Sequence, residues 1–419
     1  MKRALIISPH FPPINAPDHQ RIRMMLPYFS KNGWEVEVLA VDPDWVRAPQ
    51  DKSLSETIPD GIRVYRVRGI PPSWTQRLGF DNLAIRTYRA LDRRGTELLA
   101  SGRFNLIFFS TTQHGVLPLA RKWKERFAVP FIIDIQDPIV NDFYRETGTP
   151  PPGGKWKYAL ARIRARRLEK KVMPQASHTV SVSPDYLREL AGRSEGFSRQ
   201  PSTVLPFPYS QKDIECGQHR ALPVWLPEPP YILSAGRGGK DLEFAIRAFY
   251  RALSRWESRS RPSVCFAGTC YGFGGGNEKP MERLATEYGL VRVKEIPERQ
   301  SYLDIVAAQV TARINCVFGS IDPRYQASKL IPLLAIGRPV LAILHENSPA
   351  ADFLERHAPD TLCAFHPKEG EEELAERIAA RLARWRTESD QQCPLPKLAE
   401  FEADPQTHQL SRIFDDCIQ

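Results

Sequence analysis

Short apolar runs alternate with stretches of helical periodicity along most of this chain. The opening run RALIIS, closed by a Pro-rich loop, has the length and continuous hydrophobicity of a strand buried on both faces. From Gln20, the apolar residues Ile22, Met25, Leu26 and Phe29 fall at i, i+3, i+4 and i+7 and so share one helical face. Pro27 predicts a kink or an early end there, because it removes an N–H from the helical ladder. NGWEVEVLAVD then supplies a turn and a second strand, which completes a strand, helix, strand unit. The order returns with FNLIFFSTT, GVLPLARKWKERF and PFIIDIQDP, and HTVSVSP followed by DYLREL extends it.

Between Gln200 and Pro230 the periodicity is lost and prolines accumulate, and from Tyr231 the rhythm restarts. YILSAG, SVCFAGT, VRVKEIP, ARINCVFG and RPVLAIL read as strands, separated by the helical stretches DLEFAIRAFYRAL, MERLATEYG, SYLDIVAAQ and ASKLIPLLAIG. Alternation of this kind predicts an α/β chain of two Rossmann-like, doubly wound domains. The expected limits are 1–205 for the first domain, 206–230 for a linker, 231–390 for the second domain, and 391–419 for a tail helix returning to the first. Two such sheets in tandem are expected to face a cleft lined by loops at the C-terminal strand ends.

Composition narrows the picture. At 419 residues the chain exceeds the size of one ordinary core, and with 42% hydrophobic and 26% charged residues it is of folded, globular type. No apolar run is long enough to span a bilayer, and the first residues lack a signal-peptide core, so a cytoplasmic location is expected. Seven cysteines without a CxxC pair argue against structural zinc and against a disulfide framework. A net charge of +9 points to an anionic partner.

Candidate chemistry gathers at strand ends. In SAGRGGKDLEF a strand ends at Gly236 and Arg237, passes two more glycines and reaches Lys240 at a helix start, an arrangement suited to a diphosphate. It matches neither GxGxxG nor GxxxxGK[ST], which removes the main support for a dehydrogenase or a P-loop enzyme. Ser328 and Lys329 are expected in the first turn of a second helix, where hydroxyl, ammonium and backbone N–H can meet one phosphate. Tyr325, with Asp322 and Gln326, is a candidate contact for a sugar hydroxyl. On the first domain His114, Asp137 and Asp134 stand at strand ends where they can activate or orient an acceptor hydroxyl, and Asn15, His19 and Arg21 belong to the first strand-to-helix loop. A glycine run at Gly274–Gly276 lacks a following cation and reads as a loop. KWKYALARIRARRLEKKV, residues 155–172, sets eight cations against one Glu around a broad apolar stripe, suited either to an anionic membrane or to a solvated face. No helix-turn-helix, zinc-finger or RNP signature accompanies the charge, so nucleic acid is not expected.

In order and spacing these motifs resemble family 4 type glycosyltransferases of the GT-B fold, in particular bacterial cell-surface sugar transferases. The likeness spans SPHFPP, NGWEVEVLAV, VPFIIDIQDP, TVSVSPDYLREL, the Arg237 to Lys240 turn and SKLIPLLAIGRPVLAI. It implies a nucleotide-sugar donor held by Arg237, Lys240 and Lys329, a sugar or lipid-linked acceptor on the first domain, no metal or other cofactor, and retention of configuration at a hexosyl centre. Two departures stand out. The family's paired glutamates fall on Arg324 and Pro332, and its common His before Asp137 is Gln136. Two alternatives therefore accompany the transferase reading: a nucleotide-sugar epimerase of the same architecture, and a non-catalytic nucleotide-sugar-binding protein.

Overall fold

A computed structural model describes residues 1–77, 82–140, 142, 145, 154–270, 278–324, 329–387 and 398–419. They form two compact units, one of residues 1–208 with 403–419 and one of residues 209–402.

The first unit is built on seven parallel strands: β1 (Lys2–Ile7), β2 (Trp34–Val41), β3 (Arg63–Val67), β4 (Leu106–Ser110), β5 (Phe131–Ile135), β6 (His178–Ser181) and β7 (Ser202–Val204). Their order across the sheet is β3-β2-β1-β4-β5-β6-β7. The central strands are mostly apolar because helices cover both faces, with Ser110 and Asp134 as buried polar exceptions near their C-terminal ends. Leu5, Ile7, Leu39, Ile107, Phe109 and Ile133 point to one core, while Ala4, Ile6, Val38, Phe108 and Ile132 point to the other. Register keeps Ile6 beside Val38 on one side and Phe108 on the other.

Around this sheet lie α1 (Gln20–Met25), α2 (Lys52–Glu56), α3 (Pro72–Arg77), α4 (Leu83–Leu99), α5 (Pro118–Phe127), α6 (Lys155–Val172) and α7 (Pro184–Arg193). Pro27 acts as expected: α1 stops at Met25 and the chain tightens into a 3₁₀ turn over Leu26–Tyr28. The other helices of the chain are α8 (Gln211–Gln218), α9 (Glu243–Ser254), α10 (Pro280–Thr286), α11 (Tyr302–Thr311), α12 (Leu330–Ile336), α13 (Pro349–His357), α14 (Glu371–Thr387) and α15 (Ala403–Asp416). The last of these closes the first unit. Phe414 stacks on Phe29 at 5.8 Å between ring centres and meets Trp34 and Phe108 edge-on at 5.3 Å each. Asp415 accepts a hydrogen bond from Trp34 Nε1 at 2.8 Å and pairs with Lys2.

The second unit repeats the plan with β8 (Tyr231–Ala235), β9 (Ser263–Ala267), β10 (Val293–Ile296), β11 (Ile314–Phe318), β12 (Val340–His345) and β13 (Leu362–Phe365), in the order β10-β9-β8-β11-β12-β13. Inside the stretch read as a linker, α8 forms under the Ser210 cap and packs on α11. In both sheets the strand order reverses between the first strand and the fourth. The loops at the C-terminal ends of β1 and β4, and of β8 and β11, therefore part and leave a crevice, the place where such sheets hold ligands.

Candidate functional site

In the second unit the chain leaves β8 into Gly236, Arg237, Gly238 and Gly239 and starts a 3₁₀ turn at Lys240. Gly236 has φ +138°, and a Cβ there would stand 2.7 Å from Lys329 Nζ, so the loop needs glycine both for its backbone and for the lysine. A Cβ on Gly239 would likewise stand 2.5 Å from Asp241 Oδ1. Arg237 is held in a fork by Asp241, with Nη1 to Oδ1 at 3.0 Å and Nη2 to Oδ2 at 2.7 Å. Burial pushes the Asp241 carboxyl up, but hydrogen bonds from Arg237 and Ser320 outweigh it and leave it below the usual carboxylate range. The loop after β11 joins the same knot, because Ile321 N–H donates to Asp241 O at 3.0 Å.

Lys329 is the residue just before α12, and its Nζ donates to Ala235 O at 2.8 Å. Its side chain still reaches the surface, but protein surrounds it. Burial, then the nearby Arg237 charge, lowers its ammonium to about 8. With Ser234, Arg237, Thr269, Met281 and Phe318 it borders a small depression. Lys240 is exposed and has no ion pair among the described residues. Three cations thus stand near one strand end, and among the described residues only Arg237 of the three is paired with a carboxylate, that of Asp241. Tyr325 and Ser328, expected beside Lys329, lie outside the described residues, as does the Gly274–Gly276 run. Arg324, at one of the two expected acid positions, is exposed and pairs with Asp322 at 3.1 Å, while Pro332 takes the third position of α12.

In the first unit the structure sorts the sequence candidates by access. Arg21 is fully buried: Nε bonds Asp134 Oδ2 at 3.0 Å, Nη2 and Nη1 bond Leu205 O at 2.6 Å and Pro206 O at 3.2 Å, and the cation lies over the Phe207 ring. It braces the loop after β7 and presents nothing outward. His19 is equally buried and spends Nε2 on Ile14 O at 2.6 Å, and burial lowers it to about 4. Asn15 is buried and anchors its loop by donating its backbone N–H to Pro49 O at 2.8 Å. His114 opens the 3₁₀ turn after β4 with its Nε2 enclosed and unpartnered, and desolvation lowers it to about 4. Asp137 lies just past β5; desolvation by its surroundings, then the Asp18 charge, raises its carboxyl to about 6.

Sequence reasoning missed the centre of this crevice. Asp18, 2% exposed, takes His10 Nδ1 at 3.0 and 3.1 Å on its two oxygens, and its Oδ2 also accepts from Thr111 Oγ1 at 3.2 Å and from Thr112 N and Oγ1 at 3.3 and 3.2 Å. Gln136, in the place of the family's His, donates to Asp18 O at 3.0 Å, Ser110 Oγ at 3.0 Å and Asp134 Oδ2 at 2.7 Å, and so ties Asp18 to the Arg21–Asp134 pair. The one sequence signal for His10 is its place at the end of the first apolar run, since nothing in local spacing pairs it with a residue eight positions on.

Residues 19–208 match the family model described as Glycosyl transferase 4-like domain. No curated protein matches the sequence. Among solved structures, sucrose-phosphate synthase from Thermosynechococcus elongatus aligns at TM-score 0.62 and 15% identity over 99% of this chain and 98% of that one. Anabaena HepE in complex with UDP-glucose aligns at 0.53 and 14% over 99% and 96%. The UDP-GlcNAc 2-epimerase of Methanocaldococcus jannaschii aligns at 0.57 and 10% over 99% of both chains. At such identities these likenesses carry the fold, two Rossmann-like units of GT-B type.

Proposed function

We infer, for a chain of GT-B fold whose residues 19–208 are a Glycosyl transferase 4-like domain, that the protein moves a sugar from a nucleotide-sugar donor to an acceptor hydroxyl. The donor binds the second unit and the acceptor the first, and the acceptor is a growing cell-surface polysaccharide or glycoconjugate. The observation that carries the reading is the strand end at β8, where of Arg237, Lys240 and Lys329 only Arg237 is paired with a carboxylate and where, among the described residues, the half-buried Lys329 ammonium has only a carbonyl for a partner. A diphosphate supplies the missing anion. As it leaves the sugar, the same cations offset its growing charge, with Gly236 allowing the close approach of Lys329. Tyr325 and Ser328 belong to this donor set, and Asp137 and His114 to the acceptor side.

The acceptor reading draws support from α6. Trp156, Leu160 and Ile163, at i, i+4 and i+7, are 87%, 56% and 46% exposed. Lys155, Lys157, Arg164, Arg167, Lys170 and Lys171 surround them without an ion pair among the described residues. No helix among the described residues is long and apolar enough to cross a membrane. An apolar stripe ringed by cations suits the surface of an anionic bilayer and an acceptor carried there on lipid.

Thermal-shift titration with UDP-glucose, UDP-N-acetylglucosamine, GDP-mannose and the free nucleotides tests the donor site. Stabilisation of wild type that Lys329→Ala and Arg237→Ala reduce at least tenfold in affinity is the expected result. No response of wild type to any of them sinks the donor reading, and an equal response of the variants removes these two cations from it. The absence of acids at Arg324 and Pro332 favours one other reading, a protein that binds the donor without transferring it. Donor binding with no transfer and no turnover would assign that role, and turnover without acceptor would assign an epimerase.

A further inference from the structure

We propose that the sugar of the donor is a uronic acid, its carboxylate read by Arg324 and His345 at the C-terminal ends of β11 and β12. The proposal rests on the donor site described above and names the sugar which that site takes.

The strand ends decide where the sugar lies. A diphosphate on Arg237 and Lys329 sits at the reversal between β8 and β11, with β9 and β10 on one side of it and β12 and β13 on the other. Toward β9 the lining is apolar, with Phe266 and Met281, which suits a flat base. The sugar therefore occupies the side toward β12. The loop after β11 forms the wall there, because Gly319 N–H donates to Ile343 O at 2.7 Å and Ile321 N–H to Asp241 O at 3.0 Å, beside the Arg237 fork.

This wall offers donors in fixed positions. Asp322 Oδ1 accepts from Arg324 N at 3.0 Å and Nε at 3.1 Å, and Oδ2 from Nη2 at 3.4 Å. These bonds orient the guanidinium, while its side chain stays 45% exposed. His345 ends β12 with its ring edge-on to Phe365 at 5.7 Å between ring centres. Its Nδ1 accepts the Asn347 N–H at 3.0 Å, so the hydrogen of the neutral ring is on Nε2. That N–H has no partner among the described residues and is not enclosed. The Asp322 charge acts on the same ring, so imidazole and guanidinium share one neighbourhood around Asp322.

Neutral sugar hydroxyls need acceptors as well as donors. The carboxylates at these strand ends already have cationic or N–H neighbours, Asp322 in Arg324 and Glu346 in His366 Nε2 at 4.0 Å. What the wall presents to a ligand is a planar guanidinium and an imidazole N–H, and a carboxylate accepts from both.

Calorimetric titration of the full chain with two matched pairs tests this: UDP-glucuronic acid against UDP-glucose, and UDP-galacturonic acid against UDP-galactose. The members of a pair differ only at C6, so nucleotide, diphosphate and ring cancel. At least one uronic acid should bind about tenfold or more tighter than its neutral partner, the gain that charge-assisted hydrogen bonds supply. Arg324→Gln should bring that ratio to within about twofold while UDP binds as it does to wild type, and His345→Gln should reduce the ratio part of the way. Equal affinity within both pairs overturns the proposal and leaves the donor site standing. An equal loss for UDP and all four sugars in Arg324→Gln also overturns it, because Arg324 would then hold the diphosphate. If neither UDP nor any of the four sugars binds wild type, the donor reading falls and the uronic acid with it.

Discussion

At Lys329 two opposing demands meet on one side chain. Burial and the neighbouring Arg237 disfavour its charge and lower it to about 8, whereas a bound diphosphate favours the charged form. Nucleotide affinity should therefore hold up to about pH 8 and fall as pH rises further, with proton uptake on binding above that value. Calorimetric titration of UDP between pH 7 and 9.5 in two buffers of different ionisation enthalpy measures both, and affinity independent of pH would remove Lys329 from the site. The buried histidines give a stability effect of defined sign. His19 and His114 fall from 6.5 to about 4 in the folded chain, so the unfolded chain binds more protons between these values. Stability is complete above about pH 6.5 and is lost as pH falls toward 4, on the order of 1 kcal/mol per pH unit for each histidine. Urea midpoints at pH 7.5 and 5 check it, and His19→Gln should flatten the slope. Of the candidate site, the sequence offered Gly236, Arg237, Lys240, Asp137 and His114 behind apolar runs and Lys329 ahead of one. It could not display access. Arg21, expected in the first strand-to-helix loop, stands in the first turn of α1 with His19 as its N-cap, and only the packing against Asp134, Leu205 and Ile14 shows that both are turned inside the protein.

Among the elements, those with continuous apolar strands or clear helical stripes were legible in advance, because both faces of each sheet are covered and favour apolar residues. β3 escaped because it is an edge strand with Arg63 and Arg66 exposed. α4 was hidden by Gly95, which interrupts the helical pattern so that Trp123 can lie against the backbone; a Cβ there would come within 2.2 Å of the indole. α6 was visible as charge and apolar spacing, and burial adds which residues face solvent. Replacing Trp156, Leu160 and Ile163 together by Ser should abolish sedimentation with vesicles of phosphatidylglycerol. Wild type should bind these and not phosphatidylcholine, and should release them at high salt, because the cations act through a screened field. Since these side chains are largely exposed, the melting temperature should fall by only a few degrees. Equal binding to both lipids would remove the electrostatic part of the argument.

At the scale of the molecule the two units have separate cores and need not unfold together. The C-terminal helix α15 belongs to the unit that starts the chain, so the last residues and the first report on one transition. Phe414→Ala removes a ring fully buried among Phe29, Trp34 and Phe108 and should cost about 3–5 kcal/mol in the first unit alone. UDP at 100 times its Kd should stabilise the second unit by about 2.7 kcal/mol and leave the first where it was. Scanning calorimetry of wild type and Phe414→Ala, each with and without UDP, separates the two effects. If the cations after β8 hold the nucleotide, the transition lowered by the substitution is not the one raised by UDP, and the shifts add in the fourth sample. If UDP raises the transition that Phe414→Ala lowers, the nucleotide sits on the first unit, and Arg237 and Lys329 lose the role given to them.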